Sequence, residues 1–578
     1  MSRAKLPVVA AGRDWAAALG GRLNAAPSGL SEHAVEVTRN RLRLALVCFV
    51  LIFTGLAGRL VQLTVLENQP AWQAGAQKQQ RMLRSTILDR NGIVLATQIS
   101  TVTLGADVAM IDDGPEMAAR LKEILPDLNQ PRAARLLSGK HRYVDLKSGL
   151  TPAQKQATLA FGDPALKLTR ASSRVYPTGH VMAHSVGFTS SDMRGLAGLE
   201  LYLDRLMEDE GFEGVLESSL DVRVQHNVRD VLQEAMLKHQ AKAAGAIVVD
   251  VHSGEIISLV SLPDFDANDP MAQGRKPHFN TITSGVYELG SIFKVFTAAM
   301  ALDTGLVGED EVFDAREPIK IGRKTFDDDH GQERVLSMDE VIIYSSNIGA
   351  VQMAMRVPAD VHYEFIGKLG FLDSVPFELP ESAEPLIPAR WTDIERATSS
   401  FGYSFSVSPL AAVMAGAAMV NGGVLYEPSL RKVGLPVGER IIAAETSRSV
   451  RRMMRSVVTH GTGRQANVPG YQILGKTGTA EKHTVGGYNK EALVTSFLGA
   501  FPARAPRYAM LVMFDEPQGH AETYGHSQAG WNAAPAAGEI VRRTASLLGV
   551  LPRAEVPAEQ AAVKPTNRSV EEVAYAPR

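Results

Sequence analysis

GSIFKVFTAAMALDTG, residues 290–305, is the stretch on which the reading of this chain turns. Ser291 follows Gly290, and Ile292 to Ala301 is an apolar, Ala-rich run that ends near Thr304-Gly305, a common helix stop. The pattern predicts a helix with Ser291 at its N-terminus, where the macrodipole favours a developing alkoxide. Lys294 lies three residues on, on the same face. A serine hydroxyl is a weak nucleophile until a neighbour takes its proton. A lysine desolvated among Ile292, Phe293 and Phe296 has a depressed pKa and is able to take it. Alone, Ser-x-x-Lys is a weak signal, because chance supplies about one per chain of this size. Its bland reading is an N-cap serine beside an exposed lysine.

Two further strings come later, in order. Ser345-Ser-Asn347 comes after Val341-Ile-Ile-Tyr344. Ser345 is suited to relay a proton, and Asn347 to bind a substrate amide or orient Lys294; the bland reading is a polar turn or a helix cap. Lys476-Thr-Gly-Thr479 lies between Ile473-Leu474 and Ala480 in what reads as extended chain. Gly478 removes a side chain where another backbone approaches, which leaves room for a peptide substrate along the strand. Lys476, with the Thr477 or Thr479 hydroxyl, is suited to hold a carboxylate. The Thr479 and Ser291 N–H groups are suited to form an oxyanion hole. The bland reading of this string is a plain strand turn. Order, separation and local context make the three together far stronger than any one.

The chain has 578 residues, too many for one ordinary domain, and about two to four are expected. Hydrophobic residues make up 45% and charged residues 21%, a globular balance, and the net charge of −3 gives no reason to expect nucleic-acid binding. Cys48 is the single cysteine, so no intramolecular disulfide contributes. LALVCFVLIFTGLAG, residues 44–58, carries no charge, and its apolar character continues to Leu66. That is long enough to cross a bilayer. Arg39, Arg41 and Arg43 precede it and Glu67 comes after it, which puts the N-terminus inside and the remainder outside. Its length and its distance from the terminus favour an uncleaved anchor over a signal peptide.

These signals divide the chain into a cytoplasmic tail (1–43), a membrane anchor (44–66), a first extracytoplasmic domain (67–225), a larger domain (226–550) and a tail (551–578) rich in Ala, Pro, Glu and Val that is expected to be disordered. In the first domain, Ser85-Thr-Ile-Leu88 and Asp89-Arg-Asn-Gly92 read as strand and turn. In the second, helices are expected at Val224–His239, Ser291–Asp303, Met338–Arg356, Pro409–Asn421 and Ala533–Leu548. A hairpin is expected from Gly245–Asp250 and Glu255–Val260, with later strands at Thr495–Ala500 and Tyr508–Phe514. Strands at both ends with helices between them imply an α/β (α+β) domain whose sheet is closed by terminal segments and covered by helices. Asp327-Asp-Asp-His330 has the composition of a metal cluster but sits in a polar loop with no further ligand pattern, so no metal is expected. His520 and His526 read as solvated, and Gly461-Thr-Gly463 as a plain loop.

The ordered three-string set resembles penicillin-binding proteins and class A β-lactamases. The chain as a whole resembles a class B penicillin-binding protein, a monofunctional peptidoglycan D,D-transpeptidase, from the anchor to about residue 545. Arg84, Asp89-Arg-Asn-Gly92, Arg174, Tyr176-Pro177, Gly179 and Gly195-x-x-Gly198-x-Glu200 are similar to the motifs of the family's first domain. Asp250, Ser253-Gly-Glu-Ile256, Pro263-x-Phe265-Asp266, Phe401-Gly-Tyr403 and Val407-x-Pro409-Leu410 are similar to those of the second. Lys476-Thr-Gly-Thr-Ala-Glu-Lys482 resembles the division-associated branch, the penicillin-binding protein 3 type. Leu289-Gly-Ser-Ile292 departs from the usual Pro-Gly-Ser-Thr, and Ser85 from a usual Gly; neither removes a catalytic group.

The resemblance implies a pedestal (dimerisation-like) domain followed by a transpeptidase domain with an antiparallel sheet. It implies that Ser291 attacks the penultimate D-alanine carbonyl of a stem peptide, terminal D-alanine leaves, and the side-chain amine of a neighbouring stem attacks the acyl-enzyme. Carboxypeptidase side activity, acylation by β-lactams and the absence of a cofactor are further implications. Expected partners are peptidoglycan stem peptides on lipid-linked nascent glycan, the cytoplasmic membrane, a membrane-embedded glycan polymerase and other division proteins, at the septum. The rival readings are an elongation-type transpeptidase and a membrane-anchored β-lactamase or β-lactam sensor. A bifunctional enzyme needs a glycosyltransferase motif that 67–225 lacks, and a non-catalytic scaffold has no use for Ser291, Lys294 and Lys476.

Overall fold

The computed structural model describes residues 32–61, 84–272, 274, 278–484 and 487–553. The expectations for 1–31, 62–83 and 554–578 lie outside these. Two compact units divide at Leu83/Arg84. In the first, α1 (Glu32–Val61) contains the one stretch among the described residues long and apolar enough to cross a membrane, Arg39–Arg59, with mean hydropathy 1.8. The Thr54 hydroxyl donates to the Val50 carbonyl at 2.7 Å, so that hydroxyl is satisfied within the helix.

The second unit begins with a five-stranded sheet. Its strands are β1 (Thr86–Leu88), β2 (Val94–Asp107), β3 (Tyr143–Lys147), β4 (Leu166–Val175) and β5 (Val215–Glu217). The long β2 pairs antiparallel with β1, β3 and β4, while β5 lies parallel to β1. The conspicuous residues of this region meet in one place. Glu200, on α2 (Gly198–Asp209), accepts from Arg84 and, at 2.7 Å, from Arg174 Nε; Asp204 on the same helix accepts from Arg84 and, at 2.7 Å, from Gly195 N–H. Two cations and two anions leave the buried cluster neutral, which burial requires. Gly198 has φ +62°, and a Cβ there would lie 2.5 Å from Gly187 N, so glycine is required.

Asp89 ties this sheet to the helix that opens the larger domain. Its carboxylate accepts from the Asn91 and Ile93 N–H groups at 2.8 Å, closing the turn, and from Val222 N–H at 3.2 Å. Val222 opens α3 (Val222–Lys238), which leads into β6 (Ala243–Asp250) and β7 (Ile256–Leu262). One apolar core runs across the expected 225/226 boundary, joining Ile87, Leu199 and Leu216 to Ile247, Leu259 and Phe293.

The main sheet takes its remaining strands from the end of the chain: β8 (Leu474–Thr484), β9 (Gly487–Phe501) and β10 (Tyr508–Asp515). Its order is β8-β9-β10-β6-β7, antiparallel throughout. Between β7 and β8 the helices include α4 (Phe293–Asp303), α5 (Met338–Tyr344), α6 (Asn347–Arg356), α7 (Pro409–Val420) and α8 (Ala444–His460); α9 (Ala533–Thr544) comes after β10. All twelve residues of α7 are buried, as its apolar composition demands. The expected single helix Met338–Arg356 is two. Ser345 adopts φ +64°, which ends α5, and Ser346 caps α6 by accepting from Gly349 N–H at 3.0 Å. The break turns Ser345 and Asn347 toward Lys294 on α4.

Candidate active site

Ser291 sits in a 3₁₀ turn, Gly290–Ile292, that feeds into α4. Phe293 packs edge-on against Phe405, centroids 4.9 Å apart, and Phe296 against Phe371 at 5.3 Å. These rings fix the helix rotation, which leaves Lys294 with 0% exposure and aimed at the next elements. Leu289 and Ile292, at the positions where the family usually has Pro and Thr, are both buried.

The turn is held by backbone packing. Gly290 has φ +59°, and a Cβ there would lie 2.4 Å from the Thr479 carbonyl oxygen. Gly402 stands on the other side, φ +86°, where a Cβ would lie 2.1 Å from the Gly290 carbonyl oxygen. Gly290 N–H donates to the Gly402 carbonyl at 3.2 Å. Three backbones therefore stack with no room for a side chain, and the Gly290–Ile292 turn lies against the middle of β8. Gly478 belongs to the same contact. The space beside it is filled by the Leu289 carbonyl, 2.3 Å from a built Cβ, and by Ile292 Cγ2. The chain's own turn is thus the close neighbour that the glycine admits. As the first strand of its sheet, β8 keeps alternate N–H groups outside the ladder.

Lys294 Nζ has four polar neighbours. It donates to the Ser345 carbonyl and, at 2.7 Å, to Asn347 Oδ1; Ser291 Oγ and Ser345 Oγ lie at 3.1 Å. The carbonyl and the amide oxygen only accept, so they claim two N–H groups. Both hydroxyls lie within hydrogen-bond reach of Nζ, which in the neutral amine keeps one lone pair. Burial pushes Lys294 from its ordinary 10.5 down to about 7, while Asp328 and Asp329 pull the other way. Lys476, fully buried, lies across Ser345: its Nζ donates to Ser345 Oγ and to the Thr477 carbonyl, both at 3.0 Å. Burial and the nearby Lys294 cation push Lys476 down as well. Ser345 Oγ thus bridges two amines, a continuous path for a proton.

The structure brings Ser291, Lys294, Ser345, Asn347 and Lys476 together, with Gly478 against the Gly290–Ile292 turn. The hydroxyls of Thr477 and Thr479 are otherwise engaged. Thr477 Oγ1 is 2.6 Å from Thr462 Oγ1, in the loop that reads as plain in the sequence, and Thr479 Oγ1 accepts from Ala529 N–H at 3.2 Å. The sequence also hides Asp328. Its carboxylate accepts from the Ser346 hydroxyl at 2.7 Å, from Ile348 N–H at 3.0 Å and from Asn347 N–H, capping α6 from a distant loop. Asn347 Nδ2 donates to the Asp327 carbonyl at 2.9 Å, which turns Oδ1 toward Lys294. Only the Asp-rich composition of 327–329 hints at this role. His526 is exposed and stacked on Trp531, whereas His520 is half-buried against His239.

Residues 244–541 match the family described as the penicillin binding protein transpeptidase domain. The chain is 38% identical to the probable peptidoglycan D,D-transpeptidase FtsI of Caulobacter vibrioides, covering 82% of both chains. It is 29% identical to the peptidoglycan D,D-transpeptidase FtsI of Escherichia coli K12, covering 91% of this chain and 95% of the other. Penicillin binding protein 3 of Mycobacterium tuberculosis, solved in complex with aztreonam, superposes with a TM-score of 0.64 at 25% identity, covering 82% of this chain and 97% of the other.

Proposed function

The chain belongs to the class B penicillin-binding proteins of the penicillin-binding protein 3 type, and we propose that Ser291 is the nucleophile of its peptidoglycan D,D-transpeptidase reaction. The protein is a serine transpeptidase of the division-associated FtsI kind, and β-lactams are its ligands. The observation that carries the assignment of Ser291 is the buried Lys294 amine at 3.1 Å, with its donors committed to Asn347 and the Ser345 carbonyl.

In this reading neutral Lys294 takes the Ser291 proton as Oγ attacks the carbonyl of the penultimate D-alanine. The Ser291 and Thr479 N–H groups hold the oxyanion. The proton passes through Ser345 Oγ to the departing D-alanine amine, and the ester on Ser291 remains. The acceptor amine of a second stem then attacks this ester. It loses a proton by the reverse route, the amide cross-link forms and Ser291 regains its hydrogen. Lys476 meets the substrate's terminal carboxylate, whose charge favours the ammonium form there. Thr477 and Thr479 shape that end of the strand, each hydroxyl exchanging its present partner for the substrate. Asn347 orients Lys294. The helix over Arg39–Arg59 anchors the protein with its N-terminus inside, the catalytic unit in the periplasm and the enzyme at the septum, beside a glycan polymerase and other division proteins.

Fluorescent penicillin labels wild-type protein and fails to label Ser291→Ala, with both folded by circular dichroism; equal labelling of the variant removes Ser291 from the mechanism. A fluorescent fusion concentrates at mid-cell in dividing cells; uniform distribution along the wall contradicts the septal placement.

A further inference from the structure

A second polar feature stands apart from Ser291. Arg448, Arg451, Arg452 and Arg455 of α8 line one wall of an open groove of about 410 Å³, and Arg504, from the loop between β9 and β10, joins them. Among the described residues no carboxylate lines it. Arg452 is paired outside the groove, with Glu309 and Asp339, and Arg455 donates to Asn467 Oδ1 at 3.0 Å and to the Ile473 carbonyl at 2.6 Å. Arg448, Arg451 and Arg504 form no ion pair among the described residues. Burial and the Arg448 cation hold the Arg451 guanidinium below its ordinary value. Like charge on Arg448, Arg451 and Arg504 that no described carboxylate offsets favours an anion in the groove.

We propose that this groove docks an extended acidic peptide segment of a partner protein. The spacing supports it. Arg448 and Arg451 stand about one turn apart on α8, roughly 5 Å along its axis, and Arg504 adds a third cation to the groove. Alternate side chains of an extended peptide lie about 6.7 Å apart on one face, so carboxylates at every second residue reach successive guanidinium groups. Guanidinium pairs with carboxylate in a two-bond fork. The Gln472 amide and the Ser456 hydroxyl, also in the groove, are suited to the backbone groups of such a segment. A lipid surface calls for apolar side chains that enter the acyl layer, and the largest apolar group here is that of Ala503.

The test uses the full-length protein in detergent and a fluorescein-labelled decapeptide of alternating Glu and Ser, read by anisotropy. Binding is expected, weakening as salt is raised. The triple variant Arg448→Gln/Arg451→Gln/Arg504→Gln should bind about tenfold more weakly, and so should the single loop variant Arg504→Glu. Arg142→Gln, an exposed cation elsewhere, should bind as wild type. Penicillin labelling of Ser291 should be unchanged in all, which shows each variant to be folded and keeps this test separate from that of the nucleophile. Absent binding, or equal binding by the triple variant, overturns the proposal. So does inorganic pyrophosphate competing as well as the peptide, which assigns the groove to phosphate. Anionic phospholipid vesicles that bind in place of the peptide, with the same dependence on the three arginines, also overturn it.

Discussion

In the proposed reaction Lys294 takes the first proton, and its protonation leaves a mark on stability. In the unfolded chain its amine keeps a proton up to 10.5, in the folded protein only up to about 7. Between those values the unfolded chain binds more protons, so stability rises as pH is raised through the window and falls as pH is lowered. Lys476, shifted the same way, adds to the slope. Melting temperature measured from pH 7 to 10.5 should therefore climb less in Lys294→Ala than in wild type, and penicillin labelling of that variant should vanish. Parallel melting curves would mean that the buried amine keeps its proton. Ser-x-x-Lys predicts the pairing, because residues three apart share a helix face. It does not predict the protonation state, which comes from Phe293, Phe296 and the rest of the packed core excluding water.

At the scale of elements, the site is made by a break in a helix. Ser345 in a left-handed conformation ends α5, and the short Ser345-Ser346 link lets α6 start with Asn347 facing Lys294. Asp328 holds that start from another loop and also raises the Lys294 pKa by its charge. Asp328→Asn keeps the shape and removes the charge. It should destabilise the protein by about 1 kcal/mol and shift the midpoint of the acylation pH profile to lower pH. A purely structural role would reduce the rate and leave the midpoint in place. The run Met338–Arg356 looks like one helix in the sequence because its apolar spacing is continuous. Ser346 caps α6 locally, but the Asp328 carboxylate that holds that start comes from 20 residues away, beyond the reach of local pattern. The stack of Gly290, Gly402 and the Thr479 backbone is hidden for the same reason: each glycine is plain in the sequence, their meeting is not.

Across the whole molecule, the buried cluster of Arg84, Arg174, Glu200 and Asp204 closes the first sheet against its own helix, and the Asp89 turn joins that sheet to α3. Glu200→Ala leaves Arg174 with no carboxylate partner and Arg84 with Asp204 alone, and should lower unfolding stability by about 3 kcal/mol or more in urea titration. An unchanged urea midpoint would show that water or other groups already satisfy these cations. By itself the sequence determined the things that depend on neighbours along the chain. These are the apolar run that crosses a bilayer, the hairpin of β6 and β7, and the helix that carries Ser291 above Lys294, each a matter of periodicity and hydrophobic transfer. Only the tertiary structure decided that Lys476 and Ser345, 131 positions apart, come to share a hydrogen bond. It also decided that Asp328 serves α6 and that five arginines line one groove. Those outcomes depend on which surfaces close on each other when the sheet takes its strands from both ends of the domain, and burial there sets charge and contact together.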